Sequence, residues 1–329
     1  MYKDFNKLIK ILVENNNFLI TSHVNLDGDA VGSELATHLL LKKLNKNSRI
    51  INQDKLPLIY DFLPECNKIN SLEESIFNKN NYDVAIVLDC SNLARVGEIS
   101  KIIENSKTVI NIDHHGSNEN FGNLNYIDST SSSVGEIIYN LIDSININLL
   151  DQEISACLYT AIITDTGSFR YSNVSPETFK IASYLTSTGM NTSVISNNIY
   201  NRNTFSGLKL LGKALLTLEI NNSSEVSWLS ITRQMLSEVN ANDDEIEGII
   251  DITTTLKNTE ISILFRETVD NKIKVSFRSK GNFNVSKFAS RFNGGGHPNS
   301  AGCLCEGKLV EVKTIILSKL FKEIKFLKK

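Results

Sequence analysis

Short apolar runs alternate with helix-spaced apolar positions through the first half of the chain. Residues 18–23, 84–89 and 109–113 are compact runs of branched and apolar side chains bounded by polar ones, and are expected to be buried strands. Residues 49–53 form a weaker candidate of the same kind. Residues 29–44 carry Val31, Leu35 and Leu39 at helical spacing. Strands alternating with helices predict a parallel sheet with helices on both faces. After Ser132 the period becomes helical, over residues 134–145, 152–163 and a helix opened by Pro176 that ends near Gly189. A further helical stretch, about 203–218, sets Leu208, Leu211, Leu215 and Leu218 on one face. Residues 226–232, 260–267 and 272–279 then alternate as strands do, the last two joined through 268–271 as an antiparallel hairpin. Residues 286–292 and 310–326 are expected helices, with a glycine-rich loop at 294–302 between them.

The predicted fold class is therefore α/β. An N-terminal parallel-sheet, Rossmann-like domain (residues 1–195) is followed by a helical linker (196–220) and a smaller α/β C-terminal substrate-binding domain (221–329). A chain of 329 residues is long enough for two such cores. Its net charge of −3 offers no broad basic field, which argues against tight binding of long duplex nucleic acid and leaves room for a short nucleotide in a local pocket. The five cysteines form no CxxC pair and are expected to be reduced thiols in a cytoplasmic protein without a structural zinc site. Cys303 and Cys305 would share one face of a strand. The N-terminal residues lead into a short amphipathic helix pattern rather than a signal peptide, and no apolar stretch reaches membrane-spanning length.

The candidate chemistry lies where apolar runs end. His23, Asp27 and Asp29 follow the first run with H-x3-D-x-D spacing, Asp89 closes the second, and Asp113, His114 and His115 close the third. Asp165 closes a fourth, 158–165. In a parallel sheet the ligand site lies beyond the carboxyl ends of the strands, so these groups can converge at one edge. Asp29 also suits a plain helix start, Asp89 an N-cap and Asp165 a turn before Gly167. His38, inside a helix and away from acidic neighbours, reads as structural. A donor set of carboxylates and imidazoles favours two Mn²⁺, with Mg²⁺ the alternative. Two such ions about 3.5–4 Å apart suit hydrolysis of a phosphate ester or anhydride. In the second domain, Gly294, Gly295 and Gly296 would let backbone N–H groups approach an anion beside His297, and Arg278 could supply a charged fork.

Together these motifs resemble the DHH phosphoesterase superfamily over nearly the whole chain. Ser22-His-Val-Asn-Leu-Asp-Gly-Asp29, Asp89, Asp113-His-His115 and Asp165-Thr-Gly-Ser-Phe-Arg-Tyr171 are similar to its four core motifs. Arg278 with Gly294–Gly302 resembles the DHH-associated C-terminal domain. One departure is Asn25-Leu26, where relatives often carry proline before the aspartate. Length and domain order look most like NrnA-type oligoribonucleases, some of which also dephosphorylate 3′-phosphoadenosine 5′-phosphate (pAp). The resemblance implies that His23 and Asp27 bind one metal, that Asp29, His114 and Asp165 bind the other, and that Asp89 bridges. It implies that Asp113 orients a histidine and that His115 contacts the substrate phosphate. Arg278, Ser279, Gly294, Gly295, Gly296 and His297 would hold the nucleotide across a cleft, and Ser131–Ser133 would line it. The expected function is hydrolysis of two- to five-nucleotide RNA to nucleoside 5′-monophosphates, with pAp as a second substrate. Hydrolysis of cyclic di-AMP or pApA is the first alternative, and a non-catalytic nucleotide-binding regulator is the second. The expected partners are a short RNA or small nucleotide and no membrane, and a homodimer is left open.

Overall fold

The computed structural model describes residues 5–74, 82–246 and 248–327. The chain divides into two compact units, Met1–Arg202 and Asn203–Lys329.

In the first unit a leading helix, α1 (Asn6–Glu14), is followed by β1 (Asn17–Thr21), α2 (Gly28–Lys43), β2 (Asn47–Asn52), β3 (Ile69–Ser71) and β4 (Val84–Leu88). Then come α3 (Ser100–Ile103), β5 (Thr108–Asp113), β6 (Leu124–Ile127), α4 (Val134–Asn146), α5 (Gln152–Asp165), α6 (Pro176–Ser187) and α7 (Thr192–Tyr200). All strand pairs are parallel, in the order β3-β2-β1-β4-β5-β6. Alternation across the pleat explains why these runs are apolar throughout. Phe18 and Ile20, with Val84, Ile86 and Leu88, pack into the core shared with α2, α4 and α5. Leu19, Ala85 and Val87 face the opposite core with Val96, Ile99 and Ile103. The chain steps outward in opposite directions from β1 and β4, so a crevice opens beyond their carboxyl ends.

Helix α2 is buried on nearly every side. It packs closely on α5: a methyl group at Gly32 would collide with the Cys157 carbonyl oxygen, and one at Gly28 with the Thr164 side chain. The fourth apolar run, ending at Asp165, is helical, as the period over 152–163 predicts. It is the last turns of α5, whose carboxyl end lies beside the amino end of α2.

The second unit starts with α8 (Phe205–Leu215), β7 (Glu219–Ile220), β8 (Val226–Ile231), α9 (Arg233–Val239) and α10 (Ile249–Thr253). It continues with β9 (Ile261–Glu267), β10 (Ile273–Ser279), α11 (Val285–Ala289), β11 (Gly295–His297), β12 (Ser300–Cys305) and α12 (Leu309–Leu327). Its mixed sheet runs β11-β12-β10-β9-β8-β7, with only β8 and β9 parallel. Helices cover both faces, α11 and α12 over one core and α8 to α10 over the other. The stretch expected to be a linker, 196–220, holds the end of α7 in the first unit and α8 in the second. Leu210 and Ala214 of α8 are fully buried in the second unit's core.

The glycine-rich segment expected as a loop is a short edge hairpin. Gly295 pairs with Gly302, Gly296 with Ala301 and His297 with Ser300. Gly296 takes a φ of +142°, and a methyl group at Gly294 would collide with the Gly302 carbonyl, so the pairing itself requires glycine at both positions. Cys303 and Cys305 lie on one face of β12 with sulfurs 3.8 Å apart, as alternation predicts. All five cysteines are free thiols.

Candidate metal centre

Each acidic and imidazole side chain expected at the first unit's sheet edge is delivered by the end of an element. His23 follows β1, Asp27 is the N-cap of α2, and Asp29 sits in that helix's first turn. Asp89 directly follows β4, Asp113 ends β5 with His114 and His115 beyond it, and Asp165 ends α5. Three overlapping groups result, each with its candidate ligand atoms within 4.8 Å of one another: His23, Asp27 and Asp89; Asp29, His114 and Asp165; and Asp89, His114 and His115.

His23 Nδ1 lies 2.8 Å from the Val24 carbonyl, which turns Nε2 toward Asp89 Oδ2 at 3.3 Å and Asp27 Oδ2 at 3.6 Å. That orientation, one ring nitrogen held by a carbonyl and the other presented to carboxylates, is the one metal-binding imidazoles adopt. His114 Nε2 stands 3.6 Å from Asp89 Oδ1, 3.6 Å from Asp165 Oδ2 and 3.9 Å from Asp29 Oδ2. Asp89 thus faces both histidines, one oxygen to each.

Asp89 is buried, and its Oδ1 has no hydrogen-bond partner. Its backbone is left-handed, with φ +50°, a conformation that β-carbon sterics disfavour. A buried carboxylate oxygen without a hydrogen bond, on a strained backbone, is costly to the fold and fits a cation. Its N–H donates to the Ile112 carbonyl, so Asp89 joins the ends of β4 and β5 rather than capping a helix through its side chain.

Asp29 has a second task. Its carboxylate accepts from the Val134 N–H at 2.7 Å, the Gly135 N–H at 2.9 Å and the Ser33 hydroxyl at 3.0 Å, so it sits at the N-terminus of α4 as well as in its own helix. Even so, burial and the charges of Asp89, Asp165 and Asp27 push its carboxyl well above the ordinary range. Asp165 is raised to about 6, by burial first and by the Asp89 and Asp27 charges beyond what His114 offsets. Burial works to depress His23, but its hydrogen bonds to Asp27 and Asp89 and their charges outweigh this and raise it to about 11. The excess of carboxylates over cations at one point is the electrostatic condition for divalent metal binding.

Asp113 does not face that cluster. Its Oδ1 accepts from His115 Nδ1 at 2.8 Å and from the His114 N–H at 2.8 Å, and its Oδ2 takes the Asn118 amide at 2.6 Å. The His115 imidazole is raised above its ordinary value, first by the hydrogen bond to Asp113. It is also the more exposed of the two adjacent rings.

Sequence reasoning passed over two supporting residues. Asn118 holds Asp113, and Asn173 donates to the Asp165 carbonyl at 3.1 Å and the Ser132 carbonyl at 2.8 Å. Both are loop asparagines in an asparagine-rich chain, so no pattern singled them out. Ser131, Ser132 and Ser133 are buried with their hydroxyls engaged locally, by Asp128, Glu136 and the α4 N-cap. His38 pairs with the Ser48 hydroxyl at 2.8 Å, apart from the cluster.

The remaining expected residues gather in the second unit. Arg278 Nε donates to Asp251 Oδ1 at 2.9 Å, and its Nη1 donates to the Ser300 hydroxyl at 2.6 Å, tying β10 to the glycine hairpin. The Ser279 N–H donates to the Asn299 carbonyl at 2.9 Å and its hydroxyl to the Phe283 carbonyl at 2.7 Å. Gly294, Gly295, Gly296 and the His297 backbone lie alongside, and a methyl group at Gly295 would meet nothing within 4 Å.

Residues 17–162 match the DHH family, N-terminal domain, and residues 229–325 match the DHHA1 domain. The chain is a two-domain DHH–DHHA1 protein. It is 28% identical over 288 residues to the bifunctional oligoribonuclease and PAP phosphatase NrnA of Thermus thermophilus, spanning 88% of this chain and 84% of that one. It is 25% identical to the protein of the same name from Bacillus subtilis, spanning 90% of this chain and 91% of the relative. An exopolyphosphatase-related protein from Bacteroides fragilis superposes with a TM-score of 0.90 at 29% identity, covering 99% of this chain and 97% of that one. A manganese-bound exonuclease RecJ shares the fold, with a TM-score of 0.53 at 12% identity over 96% of this chain and 94% of RecJ. Membership in this phosphoesterase family, with relatives named as nuclease and phosphatase, supports a hydrolase. The carboxylate and imidazole groups described above could hold a divalent metal.

Proposed function

We propose that the protein is a Mn²⁺-dependent phosphodiesterase that cleaves two- to five-nucleotide RNA to nucleoside 5′-monophosphates and also removes the 3′-phosphate of pAp. The observation that carries this reading is the pair of candidate ligand groups that meet at Asp89, whose buried Oδ1 makes no hydrogen bond and stands 3.6 Å from His114 Nε2 and 3.4 Å from His115 Nδ1. His23, Asp27 and Asp89 would hold one ion, and Asp29, His114 and Asp165, with Asp89, the other. When bound, such ions supply Lewis-acid stabilisation of phosphate oxygens and lower the pKa of water. The NrnA relatives, named for both activities, support the substrate pair.

The chain's own residues account for the rest. Asp113 fixes the His115 ring through Nδ1 and leaves Nε2 to donate to a phosphate oxygen. The hydrogen bond to Asp113 raises the basicity of His115 and so favours the protonated ring, which offsets charge growing on the phosphate. Both substrates present the same bond. Water adds to phosphorus and the bond to a ribose 3′-oxygen breaks, releasing a 5′-phosphorylated nucleotide from RNA or inorganic phosphate from pAp. Arg278, Ser279 and the Gly294–His297 hairpin would bind the nucleotide's terminal phosphate, with guanidinium and backbone N–H groups as the donors. The modest net charge suits a short substrate held at its end rather than along a basic track. No helix among the described residues is long and apolar enough to cross a membrane. The test is turnover of pApA and pAp by purified protein with Mn²⁺, then with the ion stripped by chelation. Activity that survives chelation would contradict the metal assignment.

A further inference from the structure

Beneath the end of β1 lies a chain of buried polar side chains that the proposed chemistry does not use. Glu34 of α2, Asn52 of β2 and Thr21 of β1 are fully buried, and Ser22 is 1% exposed. Asn52 Nδ2 donates to Glu34 Oε2 at 2.9 Å. Asn52 Oδ1 accepts from the Ser22 N–H at 3.0 Å and from the Thr21 hydroxyl at 3.1 Å. The Ser22 hydroxyl donates to the Leu88 carbonyl at 2.7 Å. The other Glu34 oxygen, Oε1, has no partner. A carboxyl group there is an expensive choice in a core where leucine would pack at no polar cost.

We propose that Glu34 and Asn52 are positioning residues for the His23–Asp89 pair. The inference rests on reading that pair as part of the metal centre. Glu34 accepts only from the Asn52 amide nitrogen and so fixes which way the Asn52 amide points. The Asn52 oxygen is then committed to the last residues of β1. Ser22 is adjacent to His23, and Leu88 is adjacent to Asp89. The chain thus clamps the backbone just before both ligands, whose side chains meet at 3.3 Å. Asp89 needs such a clamp, because its left-handed backbone would relax if β4 were free to shift. Burial pushes the Glu34 carboxyl up to about 8, so glutamine is a faithful replacement at neutral pH.

The test compares Glu34→Leu and Glu34→Gln in the full-length protein. Mn²⁺ affinity is measured by calorimetry, the fold by circular dichroism and thermal transition, and the imidazole of His23 by its nitrogen chemical shifts. E34L is expected to stay folded, to lose about tenfold in Mn²⁺ affinity and to shift the His23 resonances, while E34Q stays within about threefold of the parent. A folded E34L that binds Mn²⁺ as the parent does would overturn the inference. Should E34L not fold, Asn52→Ala breaks the same chain one link on and is read the same way. Failure of both to fold would assign the chain to the fold rather than to the pair and would equally overturn it. If the parent itself binds no Mn²⁺, the metal reading fails instead, and the two failures remain distinct.

Discussion

Asp89 unites burial, a left-handed backbone and a carboxylate oxygen that makes no hydrogen bond, and each of these costs stability without a cation. Asp89→Ala is accordingly expected to abolish turnover of pApA while leaving the protein folded. Appreciable activity in that variant would remove Asp89 from the metal centre. The protonation of His23 gives a second expectation. Its pKa of about 11 means that it carries a proton at neutral pH when no ion is bound, whereas a ligand imidazole must be neutral. Metal binding should therefore release about one proton at this residue, and affinity should rise with pH. Calorimetry in two buffers of different ionisation enthalpy reads this directly, and a binding heat independent of buffer would contradict it. Asn118 works at one remove. Without its amide, Asp113 keeps His115 but loses its tether, and Asn118→Ala should lower kcat about tenfold at unchanged Mn²⁺ affinity, as steady-state kinetics beside a metal titration would show.

Among elements, the contact between α2 and α5 matters most to the site, because it brings Asp29 at one helix start beside Asp165 at the other's end. A methyl group at Gly32 would meet the Cys157 backbone carbonyl, which has no rotamer to escape into. Gly32→Ala should destabilise the protein by about 1–3 kcal/mol, read from the denaturant midpoint. An unchanged midpoint would mean that the helices can slide apart freely. The strands of the first unit were legible because buried parallel strands are apolar on both faces, and each ended close to its expected boundary. The acidic and imidazole residues at their ends stood out for the same reason, since a carboxylate closing an apolar run has few places to go. Asp165 lies with Asp29 and His114, and its apolar run belongs to the helix that the period over 152–163 predicts. The hairpin at Gly294–Gly302 was not legible: glycine-rich strands carry no alternating pattern to read. Neither were β3 and β6, which are short, nor the Asp29 contacts to α4, which join residues more than a hundred positions apart.

At the scale of the whole molecule, the proposed function divides two duties between the domains, ion-holding groups in the DHH domain and phosphate donors in the DHHA1 domain. Arg278→Ala should then raise KM for pApA about tenfold, the loss of one charge-assisted hydrogen bond, and leave Mn²⁺ affinity untouched. An equal fall in Mn²⁺ affinity would show that Arg278 acts through stability instead. The most direct measurement is product analysis of the purified protein with Mn²⁺ on pApA, pAp and cyclic di-AMP side by side. The expected result is conversion of pApA to AMP and of pAp to AMP and phosphate, with cyclic di-AMP left intact. Preferential opening of cyclic di-AMP, or no turnover of any of the three by metal-loaded protein, would contradict the proposed function.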